Sequence, residues 1–203
     1  MTLPIGVLVS GRGSNLGAIL AACREKRLDA RVVLVASNHE GVPALLRAAR
    51  ARVPHRVFAA EQYGTRAAAH GAMGRSLIEA GARLVVLAGF DQMLRDPFWD
   101  ALGGEVPVIN IHPALLPAFG GRGMLGLKVH EAVLAAGVAE TGVTVHRAHR
   151  GMLDEGEIVL QRRVPVLPGD DAPTLSDRVL AVEHQALVEA IGLLAAPSAM
   201  RRA

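Results

Sequence analysis

Ile5-Gly6-Val7-Leu8-Val9-Ser10-Gly11-Arg12-Gly13-Ser14-Asn15-Leu16 runs from an apolar stretch through a two-glycine turn into a helical pattern. Residues 5–10 read as a strand and residues 15–26 as a helix, with Ser14 suited to cap it. Beyond this unit, apolar segments of strand length keep alternating with longer segments of helical period. Strands are expected at residues 31–37, 56–58, 84–87, 108–111, 144–146 and 158–164. Helices are expected at 43–50, where Pro43 fits a first turn, and at 65–80, 129–136 and 174–194, with a short one opened by Asp96-Pro97. Such alternation specifies an α/β fold with a mostly parallel central sheet flanked by helices. No repeat, low-complexity linker or break in composition divides the chain, so one domain over residues 1–203 is expected.

Composition excludes several classes. Of the 203 residues 51% are hydrophobic and 20% charged, which supports a packed core and excludes a disordered chain. The longest apolar run, residues 84–90, falls far short of the roughly 18 residues that span a bilayer. The single cysteine, Cys23, allows no internal disulfide, and with no export signal it points to the reducing cytoplasm. Aromatics at 3% give little for bases to stack on, so a nucleic-acid partner is not expected. The net charge of +3 leaves a small anionic ligand open, and nothing in the sequence argues against a weak homodimer.

Three irregular segments follow predicted strands: Gly11 to Ser14, Gly89 to Leu94 together with Ile111 to Gly126, and Arg147 to Glu157. In an open α/β sheet, ligands gather outside the carboxyl ends of the strands, so the three are expected to share one cleft. The first offers glycines for close backbone approach, free N–H groups at a helix start, and the side chains of Ser14 and Asn15; a phosphate fits there. It is neither a Walker A loop nor a full dinucleotide fingerprint, since no Gly-Lys follows and Leu16 takes the third glycine position. A tight turn without a ligand remains the alternative.

Asn110 and His112 alternate with Ile111, so an extended chain presents both on one face. An amide and an imidazole ending an apolar strand are costly to bury unless they meet partners, and together they can polarise a reacting carbonyl oxygen. Thr144 and His146 share a face of a later strand in the same way. Asp154 lies in a loop bounded by Gly151 and Gly156, where it is either a solvated turn residue or part of a closing loop. His146 and His149 invite a metal, but no cysteine pair, His-Glu-x-x-His or third suitably spaced histidine supports one, and no metal is expected. Arg66, near a helix start, could clamp a carboxylate or phosphate. Glu183 and His184 read as a surface pair within the last helix.

The motifs Ser10-Gly11-x-Gly13-Ser14-Asn15-Leu16, Leu87-Ala88-Gly89-Phe90, Asn110-Ile111-His112-Pro113-x-Leu115-Leu116-Pro117, Thr141-Gly142-Val143-Thr144-Val145-His146, Asp154-x-Gly156 and Glu183-His184 stand in one order across nearly the whole chain. In that order they resemble the phosphoribosylglycinamide formyltransferase family, the folate-dependent formyltransferases of purine synthesis. The resemblance implies a Rossmann-like formyltransferase domain. It also implies transfer of a formyl group from 10-formyltetrahydrofolate to the amine of glycinamide ribonucleotide, both small molecules.

Carried over by position, Asn110, His112 and Asp154 match the catalytic trio. Gly11, Gly13, Ser14 and Asn15 match the phosphate loop, and Glu183 a carboxylate that touches the ribonucleotide. Arg66, Met93, Leu94 and Asn110 match the folate site, with Thr144 and His146 in support. The N-terminal part is thus expected to hold the ribonucleotide phosphate and the C-terminal part to contribute to the folate site. On this reading His112 acts as an imidazolium and Asp154 takes the proton of the attacking amine. Asp91-Gln92 stands where many relatives have Met-Arg, and Glu155 interrupts what is often Asp-Gly-Gly. Methionyl-tRNA formyltransferase and formyltetrahydrofolate deformylase share the trio but carry further domains, for which this chain offers no expected room. A plain nucleotide-binding module would need the first loop without the trio.

Overall fold

Seven strands, β1 (Leu3–Val9), β2 (Ala30–Ser37), β3 (His55–Val57), β4 (Leu84–Leu87), β5 (Val108–His112), β6 (Glu140–Arg147) and β7 (Ile158–Pro165), join in one sheet. Their spatial order is β3-β2-β1-β4-β5-β6-β7 in the computed structural model, which describes residues 2–196. Positions 1 and 197–203 of the expected domain lie outside the described residues. The first five strands in this order are parallel, whereas β6 runs antiparallel to β5 and β7 antiparallel to β6. Order reverses between β1 and β4, which creates the crevice where an open α/β sheet takes its ligands.

Among the described residues seven helices cover the two faces: α1 (Ser14–Arg24), α2 (Pro43–Arg50), α3 (Ala60–Tyr63), α4 (Arg66–Glu79), α5 (Asp96–Leu102), α6 (Leu127–Ala135) and α7 (Ala172–Ala195). Side chains alternate across a strand, so each strand feeds both layers. Val7, Val9, Ile109, Ile111, Val143 and Val145 pack with Leu16 and Ile19 of α1 and Leu175, Leu187 and Ile191 of α7. Leu8, Val85 and Val108 pack on the opposite side with Met73 and Leu77 of α4 and Phe98 of α5. Fully burying a side chain such as Leu16 or Phe98 contributes about 2 kcal/mol, and the doubly covered sheet collects many such terms.

The strands and helices fall where the sequence places them, within a few residues; α3 was not foreseen. Pro43 does occupy the first turn of α2. Ser14 does not cap α1. The cap position is Gly13, at φ +69, with no side-chain hydrogen bond to the helix start. The first turn of α1 therefore keeps its backbone N–H groups free of any side-chain cap.

Candidate active site

The Gly loop leaves β1 and passes directly into α1. Its fold is fixed by packing against α2: Ala44 N–H donates to the Gly11 carbonyl at 3.1 Å. A Cβ on Gly13 would stand 2.6 Å from Ala44 Cβ and 2.8 Å from Ala44 Cα, whereas one on Gly11 would meet nothing. Gly13 is thus demanded by positive φ and by close approach, while Gly11 leaves open space in front of the backbone. Asn15 turns inward, and its Nδ2 donates to Glu183 Oε2 of α7 at 3.0 Å while its Oδ1 is buried without a partner. Glu183 is only 8% exposed, which overturns its reading as a surface residue: the α7 face that carries it packs on α1. Burial pushes its carboxyl above the usual range, and the Asn15 bond only partly offsets this.

Asn110 and His112 do share one face of β5. Val108 packs with α4 and α5 while Ile109 and Ile111 face α1 and α7, so the alternation turns both polar residues to the α5 side. Antiparallel pairing sets Asn110 opposite His146 and His112 opposite Thr144. His146 Nδ1 donates to the Arg147 carbonyl at 2.9 Å, and its Nε2 lies 3.2 Å from Asn110 Nδ2. Thr144 Oγ1 donates to the Ala114 carbonyl and accepts from Leu116 N–H and Gln161 Nε2, all within 3.0 Å. These bonds pin the start of the loop that follows β5.

Asp154 reaches the same place by an unexpected route. Because β6 is antiparallel, its carboxyl end lies beside the start of β5, at the end of the sheet opposite the Gly loop. The 148–157 loop therefore leaves from the wrong end and folds back along the sheet face. Asp154, at φ +58, closes it. Its Oδ1 lies 3.4 Å from both Asn110 Nδ2 and His146 Nε2, and its Oδ2 accepts from Gly121 N–H at 2.9 Å and stands 3.7 Å from His112 Nδ1. The His112 and Asp154 side chains are 5% and 8% exposed.

The charge states differ from the expectation. Burial pushes the His112 imidazole below its ordinary value and outweighs the pull of Asp154, so the resting ring is neutral rather than an imidazolium. Nε2 carries the proton and donates to the Phe119 carbonyl at 2.7 Å. Burial alone would raise Asp154, but the His146 contact and the Gly121 N–H outweigh it and hold the carboxyl low.

The proposed folate residues lie around the β4–α5 loop. Arg66 begins α4 and is exposed, Met93 is 43% exposed, and Leu94 is buried in the α4–α5 core. Asp91 and Gln92 bond back to the protein, the exposed Asp91 to Asn38 and His39 and the half-buried Gln92 to His70. Asn38, His39 and His70 were not singled out from the sequence; nothing local distinguishes them from surface or core polar residues. A cavity of about 570 Å³ borders the trio's face, lined by Trp99, Val106, Val108, Ala148 and Arg150 among others. Among the described residues no group of three or more His, Cys, Asp or Glu is arranged to hold a metal ion. No described helix is long and apolar enough to cross a membrane.

Asn110, His112 and Asp154 thus stand together on an open, mostly parallel α/β sheet of the kind that takes ligands at its strand ends. The formyl transferase model matches residues 4–191, and the chain belongs to that family. It is 34% identical over 181 residues to phosphoribosylglycinamide formyltransferase of Haemophilus influenzae, covering 89% of this chain and 82% of that one. It is 42% identical over 191 residues to the trifunctional purine biosynthetic protein adenosine-3 of Gallus gallus, covering 94% of this chain but only 18% of that protein. The crystal structure of glycinamide ribonucleotide transformylase 1 from Symbiobacterium toebii superposes with a TM-score of 0.87 at 41% identity, over 95% of this chain and 87% of that one.

Proposed function

We propose that this chain transfers the formyl group of 10-formyltetrahydrofolate to the amine of glycinamide ribonucleotide, yielding formylglycinamide ribonucleotide and tetrahydrofolate in purine synthesis. One arrangement carries the reading: Asn110 and His112 on one face of β5 come together with Asp154 of the 148–157 loop, and two strands away the Gly loop leaves β1 for a helix start free of any side-chain cap. The names and coverage of the relatives support it. In this reading Gly11, Gly13, Ser14 and Asn15 receive the ribonucleotide phosphate and Glu183 the sugar. Arg66, Met93 and Leu94 border the folate donor, whose ring system the 570 Å³ cavity beside Val108 has room to receive.

Attack of the amine nitrogen on the formyl carbon builds negative charge on the formyl oxygen. The Asn110 amide and His112 stabilise that charge, His112 after Nε2–H leaves the Phe119 carbonyl. The growing oxyanion and Asp154 both favour a proton on the imidazole, which offsets the burial that keeps it neutral at rest. The Asp154 carboxylate, ionised at neutral pH, accepts the proton shed by the amine; collapse of the tetrahedral intermediate then breaks the bond from the formyl carbon to N10 of the donor, which takes up a proton as tetrahydrofolate leaves. Thr144 and His146 hold the loop and the amide in register.

The test is to incubate the protein with a 10-formylfolate donor, with and without glycinamide ribonucleotide. Formylglycinamide ribonucleotide formed only in the complete mixture supports the reading. Formate released without acceptor, or no turnover of the donor, refutes it.

A further inference from the structure

The β4–α5 loop, residues 88–95, is held from two sides. Toward β1 and β2, Asp91 accepts from Asn38 Nδ2 and pairs with His39 Nε2, each at 2.8 Å, and its N–H donates to Ser10 Oγ at 2.9 Å. Toward α4, the fully buried ring of His70 accepts the Arg95 N–H on Nδ1 at 3.1 Å. That fixes the tautomer: Nε2 carries the proton and donates to Gln92 Oε1 at 3.0 Å. The same ring packs 6.0 Å, centroid to centroid, from Phe90. An imidazole is an expensive core residue, since an apolar side chain of like size avoids its desolvation. Here both nitrogens are spent on one loop, and they hold it so that Met93 stands exposed while Leu94 turns inward.

We propose that His70 is a positioning residue for the donor side of the reaction: it braces residues 92–95 and so sets the wall against which the folate donor lies. The proposal rests on the formyl-transfer reading and names what shapes that wall. Gln92 then acts inside the protein, as the near half of the brace, rather than on the ligand.

Two variants and two readouts test this. His70→Leu keeps the volume and removes both bonds, while Gln92→Leu removes one and lies at the half-exposed rim, where it does not threaten folding. Amide exchange at Arg95 is expected to quicken in His70→Leu, and the KM for the folate donor to rise about tenfold, the scale of one or two lost neutral hydrogen bonds. kcat and the ribonucleotide KM should stay within about twofold. Gln92→Leu should give a smaller rise that is not additive with His70→Leu, and His70→Gln, which can still accept and donate, should restore the donor KM. A donor KM unchanged in both Leu variants, or both substrates' KM values rising together, overturns the proposal. A wild-type protein that transfers no formyl group overturns the functional reading and the donor-side role with it, while exchange at Arg95 still decides whether His70 holds the loop.

Discussion

The Gly loop and the 148–157 loop are built in opposite ways. The first grows from the carboxyl end of a parallel strand, presents backbone, and is locked by glycine against α2. The second starts at the far end of an antiparallel strand, folds back, and presents one carboxylate held by side chains and a single N–H. A backbone site is insensitive to most side-chain changes and sensitive to glycine. A site hung on one carboxylate is lost with that group. In the proposed function, binding falls to the first region and chemistry to the second.

The largest effect should come from Asp154→Asn, which keeps shape but removes the base and the charge facing His112. We expect kcat to fall at least about a hundredfold, with binding of both substrates nearly unchanged. His112→Asn should do likewise, and the double variant should lose little more than either single one in steady-state assays. Full additivity would break the view of the second region as one unit.

The first region is sharpened by contrasting two glycines. Gly13→Val puts a branched side chain at φ +69 and into Ala44, and should cost about 2–4 kcal/mol in denaturant unfolding. Gly11→Ala projects into open space, and should weaken ribonucleotide binding in calorimetry while leaving Tm alone. Equal loss of stability in both would mean that the loop is a folding element only.

Acid should weaken the fold through its buried histidines. Burial holds His112 and His130 below the ordinary imidazole range, so the unfolded chain takes up protons below about pH 6.5 that the folded one refuses. Stability is full above that pH and falls as pH drops, by up to about 1.4 kcal/mol per pH unit for each such histidine. Asp154, held low, adds its own loss only further down, below the usual carboxylate range. His130→Leu should give a shallower decline in Tm between pH 7 and pH 5. The smallest effect is expected of Arg66→Ala, a few-fold rise in donor KM, since an exposed guanidinium contributes little to an interaction in water. An unchanged donor KM would remove Arg66 from the folate site.

The parallel half of the fold was legible because its signals are local. Apolar runs, Pro43 and the glycines each specify their own neighbourhood. The pairing of Asn110 with His112 on one face also followed from strand alternation alone. What was misread depends on partners distant in sequence. Glu183 is buried only because α7 lies on α1, and the path to Asp154 depends on β6 running antiparallel, which residues 140–147 do not encode by themselves. The charge on His112 was misjudged for the same reason: its carboxylate neighbour was foreseen, but the burial that outweighs it was not.

The contact between Asn15 and Glu183 spans 168 residues. During synthesis at about 5–20 residues per second, α1 waits roughly 10–30 s for the helix that covers it. Over that interval Leu16, Ile19 and the β1 side chains beneath them lack their α7 cover, Leu187 and Ile191, while the α4–α5 layer on the other face is completed before it ends. A nascent chain should therefore mature one face at a time, with the Gly loop among the first parts made and among the last made firm. Stalling translation before residue 183 would leave a chain with the loop in place and no carboxylate behind it.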